Sequence, residues 1–256
     1  MKLNFKKVGE GSKVVLILHG LFGSLDNWMT HAKLLSEQDF TVYLIDQRNH
    51  GRSPHDSIFD YESMAADLNE FINDHAISNP YLVGHSMGGK TVMQFAVSYT
   101  TTIKKLIVVD IAPKTYPPHH ETIIEAFRSV DINGITKRSE AQEAMSEIIS
   151  DVGVMQFLLK NLDRKKEGGF QWKVNLDVVI DNIENVGQTF DSSLSNTVET
   201  LFIRGGKSNY ILDEDRSLLK KFFPNSNLLT IKDAGHWVHA EQFEKFTKVL
   251  IHYLNA

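Results

Sequence analysis

Short apolar runs that alternate with helical stripes constrain the fold of this chain more than any other feature. Residues 14–18 form a continuous run of valine, leucine and isoleucine, which is typical of a strand buried on both faces. Similar runs follow at residues 41–45, 81–83 and 106–109, with helical spacing of apolar residues between them. Residues 2–8 alternate polar and apolar side chains, which indicates an edge strand. The pattern predicts an α/β fold with a mainly parallel central sheet and helices on both faces.

The second half of the chain interrupts this pattern and then resumes it. Residues 113–190 carry successive helical stripes, which predicts a mainly helical cap insertion. Buried strands at residues 200–203 and 227–231 and a last amphipathic helix then return to the α/β pattern. Residues 1–112 and 191–256 are therefore predicted to form the core. In parallel sheets of this kind, ligands bind beyond the carboxyl ends of the strands.

The most informative motif is Gly84-His85-Ser86-Met87-Gly88, which fits G-x-S-x-G with a strand before it and a helix after it. So tight a turn leaves no room for side chains beside the serine, which explains the two glycines. The Ser86 hydroxyl would stand exposed at a helix N-terminus, where negative charge is stabilised. Ser86 is therefore the candidate nucleophile, and a glycine-rich turn without chemistry is the alternative.

Composition excludes several other kinds of site. The chain has 256 residues and no cysteine, so disulfides, thiolate metal sites and cysteine nucleophiles are excluded. Its net charge of −5 comes with scattered lysines and arginines, which argues against a nucleic-acid partner. The N-terminus lacks a signal-peptide pattern and no early apolar run could span a membrane, so we expect a cytoplasmic protein. We expect no metal, no cofactor and a small-molecule substrate.

A serine nucleophile needs a base, and the chain offers 11 histidines. His236 lies in a glycine-containing turn after the last predicted strand, which matches the chain order serine, acid, histidine. His85 neighbours Ser86 in sequence, but adjacent side chains on an extended turn diverge. His236 is therefore the candidate base, and a histidine in a surface turn is the alternative.

The acid that would orient this histidine has two candidate positions. The loop after the strand that follows the insertion, residues 204–210, contains no carboxylate. Asp213 and Asp215 come slightly later, where they resemble acids in the first turn of a helix. Asp110 ends the strand directly after the nucleophile strand and faces the same cleft. We assign the acid to Asp110, with a structural aspartate that caps its loop as the alternative.

Two backbone N–H groups would complete the site by stabilising an oxyanion. One belongs to Met87, and the other belongs to Leu21 or, as second choice, Phe22, in the glycine-rich loop after the first buried strand. We also expect the side chains of Phe22 and Trp237 to contact the substrate.

The segment from Asp46 to Ser53 has the polar composition of an anion-binding loop. Turn-forming residues are expected wherever a strand ends, however. We therefore favour a structural network of Asp46 and Arg48 that braces the nucleophile and oxyanion loops.

Five segments together resemble the bacterial esterases of the YbfF type and their mitochondrial relatives among the α/β-hydrolase-domain proteins. The resemblance covers essentially the whole chain and implies the α/β-hydrolase fold with a helical cap. It also implies an esterase or thioesterase that acts on acyl esters, with acyl-CoA among the candidates. The group carries its acid after the nucleophile strand, which matches Asp110. The segments are residues 19–24 (HGLFGS), 46–53 (DQRNHGRS), 84–90 (GHSMGGK), 109–113 (VDIAP) and 235–240 (GHWVHA).

The sequence therefore predicts hydrolysis of short- to medium-chain carboxylic or acyl-CoA esters through an acyl-enzyme on Ser86. The same fold and triad also support C–C bond hydrolysis and elimination chemistry, which are the alternative activities. A non-catalytic hydrolase-fold scaffold is a third hypothesis, and the presence of the full set of candidate residues speaks against it. The sequence does not give the oligomeric state.

Overall fold

The computed structural model describes residues 1–118, 120–191 and 193–256 of the chain. Within these ranges, strands form where the sequence has its apolar, β-branched runs. The strands are β1 (Phe5–Val8), β2 (Lys13–Leu18), β3 (Phe40–Ile45), β4 (Tyr81–His85), β5 (Lys105–Val109), β6 (Leu162–Arg164), β7 (Phe170–Trp172), β8 (Thr200–Gly205) and β9 (Ser226–Ile231).

Seven of these strands form one sheet in the order β1-β3-β2-β4-β5-β8-β9. All neighbours run parallel except the edge strand β1, which pairs antiparallel with β3. The predicted α/β fold with a mainly parallel sheet is confirmed, and β1 lies at the edge as expected. His85 of β4 pairs with Val109 of β5. The residues that follow them, Ser86 and Asp110, therefore emerge side by side at the carboxyl edge of the sheet.

Helices connect the strands, and the first three lie where helical spacing predicts them. Helix α3 begins at Met87, because the turn after β4 leads directly into it. The helices are α1 (Met29–Ser36), α2 (Tyr61–Asp74), α3 (Met87–Ser98), α4 (Glu121–Arg128), α5 (Arg138–Ser146), α6 (Val152–Leu159), α7 (Leu176–Asp181), α8 (Ile183–Gly187), α9 (Arg216–Phe222), α10 (Val238–Glu241) and α11 (Phe243–Asn255).

The segment between β5 and β8 contains α4 to α8 and a short antiparallel pair, β6 and β7. Gly168 and Gly169 turn the chain between these two strands with φ values of 100° and 78°, which favour glycine. The helical pattern of the sequence does not predict this strand pair, since three-residue strands leave almost no periodic signal. The division of the chain into a core and a cap at residues 113–190 stays a prediction.

The apolar core lies on both faces of the sheet. Leu16 and Leu18 of β2 pack into one cluster of buried side chains, whereas Val15 and Ile17 pack into another, as the two-residue period of a strand requires. A third cluster joins Phe22 and Met87 of α3 to buried side chains of α4, α5, α6 and α7. This third cluster holds the segment between β5 and β8 over the carboxyl edge of the sheet. None of the described helices is both long enough and apolar enough to cross a membrane.

Candidate active site

Ser86 lies at a sharp turn between β4 and α3, with φ 52° and ψ −117°. Such a conformation is strained for a residue with a side chain, and it points the hydroxyl away from the chain. The neighbouring glycines are required sterically. A Cβ on Gly84 would lie 2.2 Å from the carbonyl oxygen of Gly88, and a Cβ on Gly88 would lie 2.5 Å from the carbonyl oxygen of Leu18. The Ser86 N–H donates to the Val109 carbonyl at 3.0 Å, which fixes the turn to β5.

The structure brings the three predicted polar residues into one hydrogen-bonded series. The Ser86 hydroxyl lies 3.0 Å from His236 Nε2, and His236 Nδ1 lies 2.9 Å from Asp110 Oδ2. The Asp110 side chain is fully buried, whereas 18% of the His236 side-chain surface is exposed to solvent. In such a geometry a serine can lose its proton to the imidazole, and the carboxylate can fix the tautomer of that imidazole.

Asp110 has further donors on the loop after β8. The Gly205 N–H donates to Oδ1 at 2.9 Å, and the Ser208 hydroxyl makes a short hydrogen bond to Oδ2. This is the loop in which the sequence shows no carboxylate, and it contributes donors to an acid from the neighbouring strand. Sequence reasoning missed Ser208, although the absence of a carboxylate from this loop was the available signal.

The alternative acids are paired elsewhere. Asp213 accepts from Arg204 at 2.8 Å at an exposed position. Asp215 accepts from Lys114 at 2.6 Å and from the N–H of Leu212 at 2.8 Å, at the start of the turn that leads into α9. Neither carboxylate is the one bonded to His236.

Two aromatic side chains flank His236. The Tyr210 ring stacks on the imidazole with centroids 3.8 Å apart and planes inclined by 16°. On another side, His85 Nε2 lies 2.9 Å from the His236 carbonyl oxygen. Because a carbonyl can only accept, His85 donates this hydrogen bond. Burial lowers the pKa of His85 well below its usual value, aided by the nearby imidazoles of His239 and His236, so the side chain is neutral.

The glycine-rich loop after β2, which contains the predicted oxyanion donors, is held by a second buried histidine. The Phe22 N–H donates to His50 Nε2 at 3.1 Å, and His50 Nδ1 donates to the Arg48 carbonyl at 3.0 Å. Burial lowers the pKa of His50 to about 3, so its Nε2 is free to accept. The Phe22 N–H, the second-choice oxyanion donor, therefore already has an acceptor, which favours Leu21 over Phe22. Leu21 is the remaining predicted donor of this loop, beside Met87 at the start of α3.

Comparisons with known proteins agree with this geometry. A family model described as the alpha/beta hydrolase fold matches residues 13–131. Esterase YbfF of Escherichia coli is 34% identical over 260 residues, which cover 100% of both chains. The chain belongs to the α/β-hydrolase family.

Other members of this family show the same relationship. The sn-1-specific diacylglycerol lipase ABHD11 of Danio rerio is 35% identical over 256 residues, which cover 96% of this chain and 80% of that protein. Among solved structures, a marine microorganism esterase superposes with a TM-score of 0.94 at 43% identity and covers 98% of each chain. The predicted resemblance to YbfF-type esterases is therefore confirmed.

The loop after β3 in this α/β-hydrolase is structural, but its bonds differ from the expected network. Asp46 accepts from the Leu25 N–H and from Asn4 Nδ2, both at 2.7 Å, and so braces the oxyanion loop. Arg48 instead forms a buried bidentate pair with Asp67 of α2, at 2.6 and 3.0 Å. Asp46 and Arg48 therefore belong to two separate networks.

Lys90 is another buried group that the sequence gives no reason to single out. Its Nζ donates to the Gly187 carbonyl at 2.8 Å and makes a short bond to the Gln188 carbonyl, so it ties α3 to the end of α8. Burial lowers the pKa of Lys90 to about 7. The Tyr61 hydroxyl donates to the neighbouring Val186 carbonyl at 2.8 Å.

Both predicted substrate contacts border a cavity of about 250 Å³ beside Ser86. The Phe22 side chain also packs against Phe127, with centroids 5.1 Å apart, and is only 2% exposed. Trp237 faces Phe157 of α6 across 5.7 Å. Among the described residues, no group of three or more histidine, aspartate or glutamate side chains is arranged to hold a metal ion.

Proposed function

We propose that this α/β-hydrolase cleaves carboxylic esters through an acyl-enzyme on Ser86, with His236 as base and Asp110 as acid. The observation that carries the proposal is the hydrogen-bonded series from Ser86 Oγ through His236 to the buried Asp110 carboxylate. The esterase and lipase names of its relatives support the same substrate class.

In the acylation step, His236 Nε2 takes the hydroxyl proton while Ser86 Oγ attacks the ester carbonyl. The resulting imidazolium lies against the Asp110 carboxylate, which the hydrogen bonds from Gly205 and Ser208 hold in position. The N–H groups of Met87 and Leu21 stabilise the oxyanion, and each donor contributes about 3 kcal/mol to lowering the barrier. The imidazolium then returns its proton to the leaving oxygen, and the C–O bond of the ester breaks.

In the deacylation step, water takes the place of the leaving alcohol. His236 removes a proton from the water, and the hydroxide attacks the acyl carbonyl bound to Ser86. Collapse of the second tetrahedral intermediate returns the proton to Ser86 Oγ and releases the carboxylic acid. Thioesters follow the same two steps with a thiolate as leaving group, so thioester hydrolysis is compatible with the site.

The decisive experiment compares Ser86→Ala with Ser146→Ala, which changes an exposed serine at the end of α5. Hydrolysis of p-nitrophenyl acetate and labelling by a fluorophosphonate probe are measured for both variants. We expect Ser86→Ala to lose the label and at least about 1,000-fold in kcat. Ser146→Ala should keep both. Full activity of Ser86→Ala on the ester would refute the proposal.

A second substrate panel separates ester hydrolysis from the C–C bond hydrolysis and elimination that the same triad could perform. Short p-nitrophenyl esters are compared with vinylogous diketones at equal concentration. We expect turnover of the esters and none of the diketones. A higher kcat/KM for a diketone would replace ester hydrolysis by C–C bond cleavage.

A further inference from the structure

Two cavities meet at Ser86. One has a volume of about 250 Å³ and the other of about 20 Å³. Both are lined by Leu21, Ser86, His120 and Tyr210, so a carbonyl bound to Ser86 Oγ has one substituent site on each side. The difference in volume means that the two substituents of an ester cannot exchange places freely.

His236 identifies the side of the leaving alcohol. Of the two cavities, it lines only the larger one, whereas Met87, Ile111 and Ile183 line only the smaller one. The leaving oxygen must lie within hydrogen-bond reach of His236 Nε2 to receive its proton. The alcohol therefore occupies the larger cavity, and the acyl group extends toward Met87 and Ile183.

The smaller cavity limits the size of this acyl group. It measures about 20 Å³ against about 250 Å³ for the larger cavity, so this side takes the smaller of the two ester substituents. We propose that the enzyme selects esters of a short acyl group, acetate before longer acids, with a bulkier apolar alcohol. This inference rests on the proposed acyl-enzyme chemistry and adds the division of the substrate between the two cavities.

Hydrogen bonds hold the wall of the acyl cavity in place. The Tyr116 hydroxyl accepts from the Ala112 N–H at 2.9 Å and donates to the Tyr210 carbonyl at 2.6 Å. At the end of α8, Tyr61 and Lys90 bind the carbonyls described above. Widening the cavity would break these bonds and leave buried polar groups unsatisfied, which is energetically costly. The wall is therefore expected to exclude longer chains rather than yield to them.

The alcohol side has room to extend. Ile123, Phe157 and Trp237 give the larger cavity an apolar lining. Phe157 and Trp237 also border a second groove of about 440 Å³. The apolar lining of the larger cavity suits an alcohol of hydrocarbon character.

Two substrate series test the assignment with the wild-type enzyme. In the first, p-nitrophenyl esters vary the acyl chain from acetate through butanoate to octanoate. We expect kcat/KM to fall by at least about tenfold between acetate and butanoate. In the second, acetate esters of ethanol, butanol and hexanol are followed by acid release in a pH-stat, and kcat/KM should stay level or rise. A rise with acyl length, or a fall with alcohol length, would overturn the assignment.

A matched pair of isoleucine variants locates the two sites. Ile183 borders the acyl cavity and Ile123 the alcohol cavity, and both side chains are half-buried. Ile183→Ala should raise the kcat/KM for butanoate relative to acetate by at least about threefold, whereas Ile123→Ala should leave this ratio unchanged. The opposite pattern would assign the sites the other way round, and equal ratios in both variants would refute the division. Should Ile183→Ala fail to fold, the wild-type series still decides.

The same assays distinguish failure of this inference from failure of the proposed function. Ser86→Ala is measured with acetate and octanoate esters. If Ser86→Ala loses both activities and the wild-type enzyme prefers octanoate, the acyl-enzyme is retained and the small acyl site is rejected. Persistence of both activities in Ser86→Ala would reject the acyl-enzyme itself.

Discussion

Tyr210 lies flat against the imidazole of His236, with ring centroids 3.8 Å apart and planes 16° from parallel. In the proposed mechanism His236 becomes a cation after the serine proton is transferred, and an aromatic face stabilises a cation by about 0.5–2 kcal/mol. The same stack restricts rotation of the imidazole, whose Nδ1 and Nε2 must reach Asp110 and Ser86 together.

Replacement of this aromatic face should slow the reaction. We expect Tyr210→Leu to lower kcat by about 2- to 30-fold on p-nitrophenyl acetate, because the transition state loses the cation–π stabilisation. Tyr210→Phe keeps the ring and is the control, and its kcat should stay within about twofold of wild type. If Phe and Leu reduced kcat equally, the hydroxyl rather than the ring would be the important group.

The assignment of the acid predicts a large difference between two aspartates. Asp110→Asn should lower kcat by about 10⁴-fold, because an amide can stabilise the wrong imidazole tautomer and cannot offset the charge of the imidazolium. Asp213→Asn removes an exposed ion pair with Arg204 and should change kcat by less than about threefold. Steady-state kinetics on one ester measures both, and the reverse ranking would move the acid to the loop before α9.

Ser208 should affect catalysis through Asp110. Its hydroxyl donates to Oδ2, the same oxygen that accepts from His236. Ser208→Ala removes a hydrogen bond to a charged group, and we expect a fall in kcat of roughly 10- to 100-fold with little change in KM. Ser193→Ala, on an exposed turn, is the control. A rise in KM at constant kcat would instead assign Ser208 to substrate binding.

The strand ends explain why much of the site is predictable from sequence. Ser86 and Asp110 follow paired residues of neighbouring parallel strands, so the order of apolar runs already places them together. His236 follows from chain order and a glycine-containing turn. No comparable sequence pattern decides between Leu21 and Phe22 as the oxyanion donor. The Phe22 N–H is occupied by His50, a residue 28 positions away, and no local pattern reports that contact.

The long-range contacts of Lys90 and Ser208 could not be predicted from the sequence for the same reason. Lys90 is a charged residue in a helix, where exposure is the usual expectation, yet it is fully buried against the end of α8. Ser208 belongs to a loop without a carboxylate, and its role as a hydrogen-bond donor is visible only from its contact with Asp110. Each of these residues acquires its role from a partner that is distant in the chain.

Buried neutral histidines predict a loss of stability in acid. Burial lowers the pKa of His31 to about 4 and that of His50 to about 3, below their ordinary value of 6.5. Between the lowered and the ordinary pKa, the unfolded chain binds more protons than the folded one. The free energy of unfolding therefore has its highest value above pH 6.5 and falls as the pH drops toward 4 and then 3. Each such histidine contributes a slope of up to about 1.4 kcal/mol per pH unit.

The contribution of His31 can be isolated by urea unfolding at pH 7.5, 5.5 and 4.5. His31→Gln should be less stable than wild type at pH 7.5, because the imidazole bonds to the His239 carbonyl and to Thr247 are altered. Its free energy of unfolding should nevertheless fall less steeply as the pH drops. Between pH 6.5 and 4 we expect the slope to be smaller than that of wild type by the equivalent of about one bound proton. His252→Gln, an exposed histidine of α11, should reproduce the wild-type slope. A wild-type slope in His31→Gln would show that His31 binds protons equally in the folded and the unfolded chain. That result would contradict the lowered pKa of His31.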